Sequence, residues 1–175
     1  GKYSPADLLL TTDVGRLYRA KQQGLTQIIA DSDAISALPG NYKDDQGHWL
    51  ALSLRARPLM VSLASPDAQA IVNIEELTSE QWKGRVCIRS SNNIYNQSMV
   101  ASLIAQLGES SAQEWVNGLV KNFARPPQGG DRDQIKAVAA GQCDVAIANT
   151  YYLAGMLSSK DETTQQQAKK VKVIW

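Results

Sequence analysis

The chain has 175 residues, 43% of them hydrophobic and 20% charged, with 18 Lys and Arg against 17 Asp and Glu. That is enough polypeptide for one domain or two small lobes with a real core. A net charge of +1 leaves no field that would single out nucleic acid or an anionic membrane as a partner. A lone histidine, His48, cannot supply a multi-histidine zinc site, and two cysteines, Cys87 and Cys143, cannot build a zinc ribbon. No G-x-S-x-G, P-loop or G-x-G-x-x-G motif occurs, so the usual hydrolase, NTPase and dinucleotide signatures are absent.

The polar opening Gly1-Lys2-Tyr3-Ser4-Pro5 leads into Ala6-Asp7-Leu8-Leu9-Leu10-Thr11, which reads as a short buried strand. Such apolar runs fall far short of the roughly 20 residues a membrane span needs, so a soluble protein without membrane insertion is expected. Asp13 is placed to cap a helix through Leu17 and Ala20 that Gly24 ends. From Asp31 to Gly47 the chain is polar and turn-rich and reads as a surface loop. His48, in a Gly-His-Trp loop, reads as a surface or packing residue.

Trp49 to Leu63 alternates like one or two strands, interrupted near Pro58 at an edge or crossover position. Ser65 to Gln81 is polar, with a short helix over Ile74-Glu75-Glu76-Leu77. Arg85 to Ile88 reads as a strand, Gln97 to Leu107 as a helix stopping at Gly108, and Ser111 to Lys121 as a helix with Trp115 and Leu119 inward. Asp131 is read as the cap of a helix from Gln134 to Ala140 that Gly141 ends. Asp144 to Ala148 reads as a buried strand, and Val171 to Trp175 as another. Trp49, Trp82 and Trp115 read as anchors, and Lys169-Lys170 as a solvated face. This alternation implies an α/β fold with a parallel or mixed sheet covered on both faces. Neither end has the pattern of a finished terminus, so a piece of a larger protein is expected.

In open α/β sheets ligands sit beyond the carboxyl ends of strands. Three such ends carry polar groups: Thr12-Asp13, Ser90 to Tyr95, and Asn149 to Tyr152. Asp13 is read as a cap, not a ligand. Tyr95 sits just before a helix N-terminus, and Tyr151 and Tyr152 converge where the backbone turns past a strand. Phenol oxygens gathered at one point suit a hard, highly charged cation such as ferric ion, which must displace protons from groups of pKa about 10. The plain alternative is three amphipathic rim residues with packed rings and wet hydroxyls. The cysteine count fits one disulfide or two buried thiols equally.

Gly84-Arg85-Val86-Cys87-Ile88-Arg89-Ser90-Ser91-Asn92-Asn93-Ile94-Tyr95-Asn96-Gln97-Ser98 closely resembles a segment of the periplasmic ferric-ion-binding proteins, the substrate-binding components of bacterial iron ABC transporters. Asn122 to Asp131, Asp133 to Gly141 and Ala148-Asn149-Thr150-Tyr151-Tyr152-Leu153 look like that family's following blocks, the last being its tyrosine-pair motif. Ala6 to Thr11 and Leu54-Arg55-Ala56-Arg57 resemble earlier landmarks.

The resemblance implies a periplasmic-binding-protein-like fold of two α/β lobes joined by crossing strands. Here it would comprise one nearly complete lobe and part of the other: 1–59 as a partial first lobe with the first crossing strand, and 60–175 as the second lobe, ending at the return strand. It implies Fe(III) as the bound ion, with Tyr95, Tyr151 and Tyr152 as phenolate ligands. Arg55 or Arg57 would lie near a synergistic anion such as carbonate or balance the phenolate charge, an ordinary interlobe ion pair being the plainer reading. Ser90, Ser91 and Asn149 would hydrogen-bond the anion or a tyrosine oxygen. A periplasmic setting favours a Cys87–Cys143 disulfide. The partners implied are ferric ion and an inner-membrane ABC permease, with no turnover. The family's opening strand and its His-Tyr pair have no counterpart in this sequence. The alternative is a binding protein of the same architecture for a small organic molecule or an oxyanion. An enzyme using a cleft tyrosine as acid or base would lack any visible nucleophile–base pair.

Overall fold

In a computed structural model, which describes residues 4–30 and 33–175, the chain divides into two units, Gly1–Leu54 and Arg55–Trp175. Residues 1–3 of the polar opening, and Asp31 at the head of the stretch read as a loop, lie outside the described residues.

In the first unit, Asp13 opens helix α1 (Val14–Gln22) by accepting a hydrogen bond from the Gly15 N–H at 3.1 Å. Gly24 closes it at a φ of +64°. There the N–H groups of Gly24 and Leu25 reach the carbonyls of Lys21 and Ala20 at 2.9 and 3.0 Å, a Schellman ending that needs a left-handed residue. The segment read as a loop carries a four-residue helix, α2 (Asp33–Ser36), and a 3-10 turn at Gly40–Tyr42. Lys43 and Leu50 then form an isolated antiparallel bridge. His48 Nδ1 lies 3.1 Å from the Thr26 hydroxyl.

The strand expected at Ala6 to Thr11 does not form: the segment is irregular, and Leu8 and Leu10 are 91% and 82% exposed. A run of apolar residues becomes a strand only against a neighbour that accepts its backbone hydrogen bonds. Among the described residues none pairs with it.

The second unit is built on β1 (Leu59–Ser62), whose four residues are all buried. It is followed by α3 (Pro66–Ala70), capped by Ser65 with Pro66 in its first turn, and by 3-10 turns at Glu75–Thr78 and Glu80–Trp82. Then come β2 (Val86–Cys87), α4 (Ile94–Leu107), α5 (Glu109–Lys121), α6 (Asp131–Ala139), β3 (Val145–Ile147), α7 (Thr150–Leu157), α8 (Glu162–Ala168) and β4 (Val171–Ile174). The sheet order is β2-β3-β1-β4. β2 and β3 are parallel, whereas β1 is antiparallel to both β3 and β4. The strands expected across Trp49 to Leu63 therefore reduce to β1. Pro58 stands just before a central strand, not at an edge. Placed ahead of the first ladder residue, its missing N–H removes no rung, and its carbonyl accepts from the Ala148 N–H at 3.4 Å.

Each sheet face carries its own apolar layer. One gathers Val61, Leu77, Trp82, Val86, Trp115 and Leu119, and the other Met60, Ile135, Val138, Ala146 and Met156. The first is sealed where α5 meets the turn at Thr78. There a Cβ on Gly118 would stand 2.7 Å from the Thr78 Cβ, so only glycine permits the approach. In the second, Cys87 of β2 is joined by a disulfide to Cys143, their Cα atoms 5.9 Å apart. No helix among the described residues is long and apolar enough to cross a membrane.

Candidate functional site

The parallel strands β2 and β3 each hand the chain to a helix N-terminus, and the tyrosines singled out by the sequence ride on those first turns. After β2, the Asn93 side chain accepts from the Tyr95 N–H at 2.9 Å and starts α4 at Ile94. Tyr95 thus lies inside the first turn rather than ahead of it, the helix beginning earlier than the apolar spacing from Gln97 indicates. After β3, Asn149 occupies the N-cap of α7. Its side chain does not cap. Instead its amide nitrogen donates to the Tyr151 hydroxyl at 3.3 Å, and its oxygen accepts from Arg57 at 3.2 Å.

Tyr95 and Tyr151 meet across 56 residues of sequence. The Tyr151 hydroxyl donates to that of Tyr95 at 3.1 Å on an open rim. Tyr152 stacks beside Tyr151 with ring centroids 4.3 Å apart and the planes tilted by 38°. Adjacent residues reach one side because they sit on a helical first turn, where successive side chains are not forced to opposite faces. The Arg132 guanidinium lies over the Tyr152 ring, 5.2 Å from its centroid.

Beneath the rim is a dry ionic floor. The segment from Arg55 to Pro58 runs antiparallel beside the exit of β3, the Ala56 carbonyl accepting from the Thr150 N–H at 3.1 Å. Three guanidinium groups face Tyr95, with Arg55, Arg57 and Arg89 at 5.2, 5.9 and 5.2 Å from its ring centroid. Arg55 is exposed, while the side chains of Arg57 and Arg89 keep only 11% and 14% of their surface. Both buried cations converge on Asp131, whose side chain has no solvent exposure. One carboxylate oxygen accepts from Arg57 Nη1 at 2.7 Å and from the Asn149 N–H at 2.8 Å. The other accepts from Arg89 Nη1 at 3.1 Å. Arg57 Nη2 donates to the Asn96 side-chain oxygen at 2.7 Å, and the Asn96 amide donates to the Arg89 and Ser90 carbonyls at 2.8 and 3.3 Å. Burial pushes the Arg57 guanidinium below its ordinary pKa, and the Asp131 carboxylate opposes that shift.

Asp131 is therefore not the helix cap expected from its position. Gly130 precedes α6 at that place, its N–H donating to Asp133 at 2.7 Å, which leaves Asp131 for the arginines. The sequence held a signal for this: Asp131 and Asp133 both crowd a helix start that one carboxylate satisfies. Arg89, Asn96 and Arg132 also escaped notice, because their partners are distant in sequence. Of the residues expected around the site, Tyr95, Tyr151, Tyr152, Arg55, Arg57 and Asn149 come together. Ser90 and Ser91 enter through their carbonyl oxygens, which accept from Asn96 and Gln97. Among the described residues no cluster of three His, Cys, Asp or Glu side chains gathers, and the hydroxyls that meet at this rim are those of Tyr95 and Tyr151.

Residues 4–175 match the family model described as bacterial extracellular solute-binding protein. The chain belongs to that family. It is 42% identical over 175 residues to iron uptake protein A1 of Synechocystis sp., covering 100% of this chain and 49% of that one. Among solved structures it resembles Trichodesmium IdiA (FutA), determined in complex with iron and citrate ligands, at 44% identity and a TM-score of 0.93, covering 98% of this chain and 54% of that one. The ferric binding protein from Campylobacter jejuni superposes with a TM-score of 0.91 at 32% identity, covering 98% of this chain and 55% of that one. The chain thus spans about half the length of the relatives it matches.

Proposed function

We propose that this chain is part of the periplasmic Fe(III)-binding component of an iron ABC transporter, binding and delivering iron without turning over a substrate. One observation carries the reading: the Tyr95 and Tyr151 hydroxyls stand 3.1 Å apart on a shared rim, with Tyr152 stacked alongside. On binding, each phenol that becomes a ligand gives its proton to solvent, and the three oxygens together cancel the ferric charge. The surplus of guanidinium over carboxylate beneath the rim then leaves positive charge that an anion can meet. Arg55, exposed beside Tyr95, is the group available to a synergistic anion such as carbonate, since Arg57 is engaged by Asp131, Asn96 and Asn149. Relatives at 32% identity and above that are named for iron uptake or ferric binding support the same cargo. Residues 1–59 would be the partial first lobe with the first crossing strand, and 60–175 the second lobe, of a two-lobed clamp whose opening beside an inner-membrane permease would release the ion.

The intact protein mixed with Fe(III) is expected to develop a visible phenolate-to-iron absorption band, weakened by Tyr151→Phe or Tyr152→Phe. A protein that stays colourless and takes up phosphate or a polyamine in calorimetry instead would rule the reading out.

A further inference from the structure

We infer that Asp131 is a positioning residue for the tyrosine rim: a buried carboxylate that ties the first turns of α4 and α7 together and so holds Tyr95 and Tyr151 within reach of one ion. The inference rests on the iron-binding reading above and adds to it a residue that touches no ligand.

The connections run outward from Asp131 in two directions. Toward Tyr151, its carboxylate accepts the Asn149 N–H at 2.8 Å, and the Asn149 side chain donates to the Tyr151 hydroxyl at 3.3 Å. Toward Tyr95, it holds Arg57 at 2.7 Å and Arg89 at 3.1 Å, both of which lie over the Tyr95 ring. Arg57 also grips Asn96, the next residue of α4, at 2.7 Å. The Nε atoms of Arg57 and Arg89 are buried with no hydrogen-bond partner among the described residues. The two cations thus depend on Asp131 for compensation. Take that charge away, and two buried guanidinium groups repel each other directly under Tyr95. A carboxylate placed only for stability could sit anywhere along α6. This one bridges the two helix starts that carry the clustered phenols.

A double-mutant cycle in the intact protein tests this, using Asp131→Asn, Tyr95→Phe and their combination. Ferric affinity is read by competition with a chelator, and the phenolate-to-iron band is recorded for each. Asp131→Asn is expected to lower affinity at least tenfold and to shift the band, with under twofold further loss once Tyr95 is already Phe. Equal losses in both backgrounds, or an unshifted band, overturn the inference. The pair Asp131→Asn with Arg89→Gln removes one charge of each sign and so keeps the floor's balance in case the single variant does not fold. The same band shift is expected there, and a wild-type band overturns the bridging role. In metal-free protein, nuclear Overhauser contacts between the Tyr95 and Tyr151 rings are expected in the wild type and lost in Asp131→Asn. Contacts that persist in the variant overturn the inference whether or not iron binds. A wild type that shows the ring contacts but takes up no iron overturns only the functional reading and leaves Asp131 as the residue that sets the pair.

Discussion

The two units of this chain are stabilised by different physics. In the second, a four-stranded sheet is covered on both faces, and Met60, Val61, Trp82, Ile135 and Ile147 are almost wholly removed from water. In the first, Ala20 is the one buried apolar residue among those described, while Leu8, Leu10, Leu25, Ile28 and Leu52 are 91%, 82%, 69%, 68% and 75% exposed. That unit is held by a capped helix, a Schellman turn, a backbone bridge and an ion pair between Lys21 and Asp44. Apolar composition is similar in kind in both. What differs is whether the described residues supply a second layer to receive it. The tyrosine rim and its ionic floor lie entirely on the unit with two layers, so the site inherits a rigid base.

Truncations should separate the units sharply. Trp82→Ala is expected to cost about 4 to 5 kcal/mol in urea unfolding, the upper range for emptying an aromatic core site. In this 175-residue chain by itself, Leu10→Ala, on a side chain 82% exposed, should stay within about 0.5 kcal/mol. Comparable losses would abolish the distinction. Reducing the Cys87–Cys143 disulfide, which closes a separation of 56 residues wholly inside the second unit, should cost about 4 kcal/mol by loop entropy. Hydrogen exchange would then quicken in β1 and β3 while α1 keeps its own faster rate. Asp131→Asn should cost about 3 kcal/mol, the lower end for leaving buried charge uncompensated. Urea unfolding of this variant reads a cost distinct from the optical and ring-contact changes of the rim.

The same contrast explains what could be read from the chain alone. Strands β1, β2 and β3 were legible because short apolar runs bounded by turn residues do find neighbours in the second unit. The cap at Asp13 and the stop at Gly24 were legible because both act within a few residues. Ala6 to Thr11 has the composition of a strand, yet composition carries no information on whether a partner strand stands beside it. Helix α8 was missed since Glu-Thr-Thr-Gln-Gln-Gln-Ala offers no apolar period, its one buried residue being Ala168. The tyrosine cluster was suggested by position past strand ends and by motif. Asp131 was misjudged because a cap and an ion-pair hub look identical locally, and its partner Arg57 is 74 residues away.

A further small effect concerns the polar fastening of the first unit. Lys21 donates to both Asp44 oxygens at 2.7 and 2.9 Å, and this bond holds the Asp44 carboxyl below its usual pKa, with the His48 and Gln46 N–H groups assisting. A depressed carboxylate stabilises the fold fully above its unfolded value of about 3.9 and loses that contribution as pH falls through the lower folded value. Protection of α1 should therefore be flat from neutral pH down to about 4 and decay only below it, by about 1 kcal/mol for a single part-buried ion pair. Asp44→Asn should remove the decay and lower the plateau by the same amount, while the amides of β1 and β3 stay unmoved. Carbon NMR titration of Asp44 beside amide exchange reads both, and a midpoint at or above the ordinary carboxylate value would mean that Lys21 does not fasten this unit.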